Sequence, residues 1–172
     1  FDETGEAWPV GHVLTNPDYA DSLRLIAADW RNFYEGDLAR AIVAAVNEAP
    51  RLGYLSEEDL AAYEPVKVSA LCSPYRDHQI CSAPPPASGG IAVGAILGML
   101  EQFDMSANGP ETADGWALFI EASRLAYADR DHYVGDTDFV DVPVEGLLDR
   151  DYLASRAQLI NPQQAIAEVS HG

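Results

Sequence analysis

A chain of 172 residues with 48% hydrophobic and 22% charged residues is long enough to bury one real core and has the make-up of a folded globular protein. Its charge is lopsided: 28 acidic residues stand against 10 basic ones, Lys67 is the only lysine, and the formal net charge is -18. Such a surface repels nucleic-acid phosphates and anionic lipid headgroups, and the arginines do not cluster. No apolar run nears the ~20 residues that span a bilayer, so neither a nucleic-acid partner nor a membrane span is expected.

No basic-then-apolar leader opens the chain, and the start at Phe1 without a methionine reads as a processed chain or a trimmed piece. Residues 1 to 15 read as irregular, with Gly5, Pro9 and Gly11 too closely spaced for a regular element. Asn16 then caps, and Pro17 opens, a first helix over 17–30 with Leu23, Ile26, Ala27 and Trp30 on one face. After the aromatic turn Phe33-Tyr34-Glu35-Gly36, the residues Leu38, Ile42, Val43 and Val46 keep helical spacing up to Pro50. Ser56 and Asp59 read as a capping box, with Asp where Glu or Gln is usual, opening a short third helix to about Tyr63.

At Pro65 the period changes to that of strands, and residues 66–82 read as a hairpin with a two-residue loop at Arg76-Asp77. That loop pairs Tyr75 with His78, Pro74 with Gln79, Ser73 with Ile80 and Cys72 with Cys81. Alternation then puts Pro74 and both cysteines at sites without ladder hydrogen bonds, so Pro74 lacks only an amide that the ladder does not use. Cys72 and Cys81 face each other at the closer cross-strand spacing. A disulfide is sterically open to them in an oxidising compartment, while the favoured reading is two small buried hydrophobes. The histidines His12, His78, His132 and His171 are scattered, and no metal is expected.

Pro84-Pro85-Pro86-Ala87-Ser88-Gly89-Gly90 fixes an extended backbone and then turns into a helix over 91–100 that carries no charge, so this helix needs cover on most sides. Ser88, Gly89 and Gly90 could cradle an anion at the helix start. With no lysine following as in a phosphate loop, close backbone packing is the favoured role. The helix ends near Phe103. Thr112 caps a long helix to about Tyr133, whose Trp116, Phe119, Ile120, Ala122, Leu125, Ala126 and Ala128 are expected to pack inside. Toward its end Asp129 and Arg130 are either part of a polar network reaching a site or ordinary helix-surface pairing. The stretch 135–141 alternates carboxylates but lacks the glycine and terminal glutamate of an EF-hand, so calcium is not expected. Asp149 caps a last helix with Tyr152, Leu153, Ala157 and Ile160 on one side, Asn161-Pro162 stops it, and 162–172 reads as a loose tail. The whole reads as a single partial domain over 1–172, mostly α with one β-hairpin.

Spacing alone offers no Ser/His/Asp triad, no close carboxylate pair in an apolar setting and no P-loop. However, Phe33-Tyr34-Glu35-Gly36, the run Leu55 to Tyr63, the Pro84 to Gly90 motif, Glu121-Ala122 with Arg124, Ala126 to Arg130, and Gly135-Asp136 with Asp138-Phe139-Val140 occur in one order and spacing. In these the sequence resembles the C-terminal half of the large subunit of gamma-glutamyltransferases, from Asn16 to about Ile160. Ala87 stands where that motif usually has a first serine, and Leu52-Gly53 keeps only part of a Gly-Gly.

The resemblance implies an N-terminal-nucleophile hydrolase, an αββα sandwich to which this chain gives outer helices and part of a sheet. It implies a precursor that cuts itself to free a threonine, which attacks gamma-glutamyl carbonyls and passes the acyl group to water or to amino-acid and peptide acceptors. The partners implied are the N-terminal region and small subunit of the same precursor and a small gamma-glutamyl substrate. No cofactor is implied, and the location would be the periplasm or outside the cell. No residue here corresponds to the nucleophile, so no catalytic residue is assigned. Ser88, Gly89, Gly90, Tyr127, Asp129 and Arg130 are expected as supporting groups. A cephalosporin-acylase-like amide hydrolase, or a non-catalytic fragment that self-associates through uncovered apolar helices, are the alternatives.

Overall fold

Asn16 caps the first helix as its sequence dictates, its side-chain oxygen accepting from the Tyr19 amide, and α1 runs Pro17–Ala28 in a computed structural model that describes residues 1–48, 50 and 52–172. Asp29 then breaks the helix with extended backbone and caps a short 3₁₀ turn, Trp30–Phe33, so the predicted helix to residue 30 stops two residues sooner. α2 spans Gly36–Glu48, with Gly36 at φ 80°, a left-handed value that suits glycine. α3, Glu57–Ala61, carries the predicted capping box: the Asp59 amide donates to Ser56 Oγ and the Ser56 amide donates to Asp59 Oδ2. Tyr34 and Tyr63 stack at 5.4 Å beside Phe33.

The chain divides into two compact units, Phe1–Val66 and Lys67–Gly172, where the sequence reads one partial domain. Among the described residues of the first unit only Ala39 is buried. The core belongs to the second unit.

There, β1 (Leu71–Tyr75) and β2 (His78–Ser82) form an antiparallel hairpin in the predicted register, from Cys72 opposite Cys81 to Tyr75 opposite His78. Arg76 takes φ 54°, the positive value that a two-residue hairpin loop uses at its first position. The cysteine Cα atoms lie 4.1 Å apart, as suits a pair without ladder hydrogen bonds. Their sulfurs are bonded, and both residues are exposed, which replaces the buried-hydrophobe reading.

α4 spans Gly89–Leu100 and buries Gly90, Ile91, Ala92, Gly94, Ala95, Ile96, Met99 and Leu100; past its first residue, Gly89, only Val93 is exposed. The expected cover is supplied by four neighbours: the hairpin, α5 (Ala113–Tyr133), α6 (Val144–Leu147) and α7 (Arg150–Ala157). Close approach explains the glycines at every fourth position. A Cβ on Gly90 would lie 2.9 Å from the Ala83 carbonyl oxygen, and one on Gly98 would lie 2.5 Å from Leu153 Cδ1. Beside α4 the core is completed by Leu118, Ala122, Leu125 and Ala126 of α5, Leu153 and Ala157 of α7, and Ile160. Glu101 at the end of α4 accepts from the Arg76 amide at 2.7 Å and ties down the hairpin tip.

Two expectations change here. The buried stripe of α5 is Leu118, Glu121, Ala122, Leu125, Ala126 and Asp129, spaced three and four apart, whereas Trp116, Phe119 and Ile120 are about half exposed. The tail over 162–172 is not loose: Ile166 and Val169 pack on the core, and Tyr133 donates its hydroxyl to the Gly172 carbonyl at 2.7 Å. No helix among the described residues is long and apolar enough to cross a membrane.

Adjacent glycines at the start of α4 give a sharp comparison. Nothing lies within 4 Å of a Cβ built on Gly89, whereas Gly90 faces backbone. In denaturant unfolding, Gly90→Ala should lower stability by about 1–3 kcal/mol through overpacking. Gly89→Ala should leave it within about 0.5 kcal/mol or raise it.

Candidate functional site

Residues one apart on a helix point about 100° apart, and α5 uses this to send Asp129 inward and Arg130 outward. Asp129 is 3% exposed and Arg156 of α7 is 6% exposed, and the guanidinium Nη2 donates to Asp129 Oδ1 at 3.1 Å. Two further donors meet this carboxylate: the Tyr152 hydroxyl at Oδ2 (2.9 Å) and the Gly172 amide at Oδ1 (3.0 Å). Arg156 Nη2 also donates to the Ser170 carbonyl at 2.7 Å and to the Leu125 carbonyl at 3.4 Å. Only its Nε, alone among buried side-chain nitrogens and oxygens of the described residues, lacks a partner.

Eight residues earlier the arrangement recurs. Glu121, 5% exposed, receives Arg124 Nη1 at 2.9 Å on both carboxylate oxygens, and the Ile166 amide at 3.3 Å. The same Arg124 nitrogen donates to the Ile166 carbonyl at 2.9 Å. Each ion pair therefore offers one acceptor and one donor to the backbone of the same C-terminal segment. Burial and the Asp129 carboxylate push the Tyr152 hydroxyl up to about 12, because both disfavour a phenolate there.

The other expected supporting residues form a separate cluster. Arg130 Nε donates to Ser88 Oγ at 3.1 Å, and its guanidinium lies 5.8 Å from the centroid of the half-exposed Tyr127 ring. Ser88 does not cap α4 with its side chain, and no oxyanion-type cradle needs to be invoked for Gly90, whose missing Cβ is accounted for by close packing. Tyr127, Arg130 and Ser88 thus link α5 to the start of α4, while Asp129 serves α7 and the tail. Sequence reasoning left Asp129 open between a polar network and helix-surface pairing, and did not single out Glu121, Tyr152 or Arg156 as its companions. A signal existed: Glu121 and Asp129 fall on the stripe of Leu118, Ala122, Leu125 and Ala126, where an acid must be paired.

Neither cluster contains a nucleophile with a base beside it. A cavity of about 380 Å³ at the start of α5 has apolar walls that include Met105, Pro110, Trp116 and Phe119, with no acid or base among its lining residues. Among the described residues no group of three or more His, Cys, Asp or Glu could hold a metal ion.

A family model described as gamma-glutamyltranspeptidase matches residues 1–171. A glutathione hydrolase proenzyme of Escherichia coli is 39% identical over 166 residues, covering 96% of this chain and 28% of the relative. An acylase proenzyme of Pseudomonas sp. is 36% identical over 167 residues, covering 94% of this chain and 29% of the relative. The crystal structure of Helicobacter pylori gamma-glutamyltranspeptidase superposes with a TM-score of 0.79 at 31% identity, over all of this chain and 50% of that one. The chain thus spans a little over a quarter of the length of these proenzyme relatives.

The two halves of the 129–130 dipeptide should separate on substitution. Asp129→Ala leaves a buried guanidinium unpaired and should cost about 3–5 kcal/mol in denaturant unfolding, whereas Arg130→Ala, at a part-exposed site, should cost less than about 1 kcal/mol. The raised Tyr152 hydroxyl adds a pH signature. The folded state holds its proton more tightly than the unfolded state, so its contribution to stability is complete below pH 10 and is lost as pH rises through about 12. Thermal melts across that window should fall less steeply for Tyr152→Phe than for the unmodified chain.

Proposed function

Because the chain belongs to the gamma-glutamyltranspeptidase family, we propose that it is part of the large subunit of an enzyme that cleaves gamma-glutamyl amide bonds, as in glutathione, and passes the acyl group to water or to amino-acid and peptide acceptors. The observation that carries this reading is the family match over nearly the whole length, with relatives at 39% identity named glutathione hydrolase proenzymes.

In this reading the 172 residues are scaffold. The nucleophile, a threonine freed by self-cleavage, and the groups that bind the substrate carboxylate belong to other parts of the precursor. The geometry supports that division: the residues of the signatures spend their polar groups on one another, Ser88 on Arg130 and Glu121 on Arg124. The helices would form an outer layer of an αββα sandwich, and the half-exposed Leu23, Leu25, Trp30, Trp116 and Ile120 are apolar surface for the rest of the precursor to cover. Export to the periplasm or beyond is supported by the exposed Cys72–Cys81 disulfide, a bond that reducing compartments do not keep.

A second reading is favoured by one observation, the 36% identity to an acylase proenzyme: the same scaffold would serve an amide hydrolase acting on glutaryl-type side chains. The full-length precursor decides between them. With a gamma-glutamyl anilide and a glutaryl amide offered in parallel, the first reading expects release of the anilide with acceleration by added dipeptide acceptor. Turnover of the glutaryl amide alone would select the acylase.

A further inference from the structure

The C-terminal segment is read through its backbone. Glu121 accepts the Ile166 amide while Arg124 donates to the carbonyl of that same residue, and six residues on Asp129 accepts the Gly172 amide while Arg156 donates to the Ser170 carbonyl. Side chains of the segment add apolar and aromatic contacts, Ile166 and Val169 against the core and His171 stacked on His132 at 3.6 Å, but the polar grips act on its backbone alone. Charge-assisted hydrogen bonds are the strong and geometrically selective kind, and of the four groups Glu121, Asp129 and Arg156 are buried while Arg124 is 38% exposed. Because both carboxylates project from one 21-residue helix, eight residues and about 12 Å of helix rise apart, the spacing of the two grips is fixed. A shift of the segment by one residue would break both at once. Gly172 closes the register: a Cβ there would lie 2.6 Å from the Tyr152 hydroxyl and 3.0 Å from Arg156 Cδ.

We propose that Glu121 and Asp129, each with its arginine, are positioning residues that hold Ile166–Gly172 in a single register and so fix where the chain continuing past Gly172 is presented for self-cleavage. This rests on the proenzyme reading above. Self-cleavage is hydrolysis of one peptide bond: one water is added, the carbonyl side becomes a carboxylate, and the nitrogen leaves as the ammonium of the new N-terminus. Neither carboxylate takes part in that exchange. Their role is to limit where the scissile bond can sit, and misplacement of reacting groups by an ångström is enough to slow such a step.

The test uses the full-length precursor. Asp129→Asn, Glu121→Gln and Gly172→Ala are compared with the exposed Glu111→Gln for the rate of conversion to two subunits, the mass of the large subunit, the melting temperature, and hydrogen exchange over 166–172. The expected result for the first three is cleavage slowed by about tenfold or more, with faster exchange confined to the segment, while Glu111→Gln behaves as the parent. Gly172→Ala leaves both ion pairs in place, so it keeps the test decisive should Asp129→Asn fail to fold. Parental cleavage rates in Gly172→Ala and Glu121→Gln, or a slowing that only follows the loss of melting temperature, would overturn the proposal. A parent precursor that never cleaves itself would sink the proenzyme reading instead. The clamp would then stand or fall on exchange alone, and unchanged protection of 166–172 in these variants would refute it.

Discussion

The second unit depends on one buried contact, the Asp129–Arg156 pair. Placing a carboxylate and a guanidinium where water is excluded costs several kcal/mol for each ion, and their mutual attraction offsets this only when the remaining hydrogen-bonding capacity is met. Asp129 receives three donors, the Tyr152 hydroxyl and the Gly172 amide joining the guanidinium, so both of its oxygens are engaged. Arg156 makes its bonds through Nη2, to Asp129 and to the Ser170 and Leu125 carbonyls, and leaves the buried Nε without a partner. The pair thereby joins three pieces of chain: the end of α5, the end of α7 and the last residues. Apolar packing of Leu125, Ala126, Leu153 and Ala157 brings the two helices together, but it does not select one register for the tail. The polar pair does.

Around α4 the governing constraint is space. A helix without a charged residue has to be enclosed, and glycines at 90, 94 and 98 let the hairpin, Leu148 and Leu153 come closer than any side chain would allow. The same closeness makes the hairpin an extension of the core even though it is only two strands. Two strands alone are marginally stable in water, and here they rest on α4 and are pinned at the tip by Glu101.

What could be read from the sequence was what is decided locally. Hairpin register follows from loop length and the two-residue alternation of strands, so all four predicted pairs are found. Helix starts at Asn16, Ser56, Thr112 and Asp149 follow from side chains that bond amides two or three residues ahead. The buried face of α5 was only partly legible: Ala122, Leu125 and Ala126 lie inside as expected, but Trp116, Phe119 and Ile120, which carry more apolar surface, are about half exposed. Glu121 and Asp129 fall on the inner stripe by their spacing, three and four residues from Leu118, Ala122, Leu125 and Ala126. The tail was illegible for a different reason: much of what holds it is its own backbone, which every sequence shares, bonded to carboxylates some forty residues away, and its two packed side chains, Ile166 and Val169, form no periodic pattern. The resemblance to the family was carried by motif order rather than by any one of these features.

The hairpin has a consequence for how the protein matures. Cys72 and Cys81 are the only cysteines in these 172 residues and lie nine positions apart on strands whose register is set by the turn between them. Oxidation within this stretch therefore has a single product. The turn that sets the register also sets the thiols opposite each other, with their Cα atoms 4.1 Å apart, so the bond joins two strands whose pairing already brings the sulfurs together.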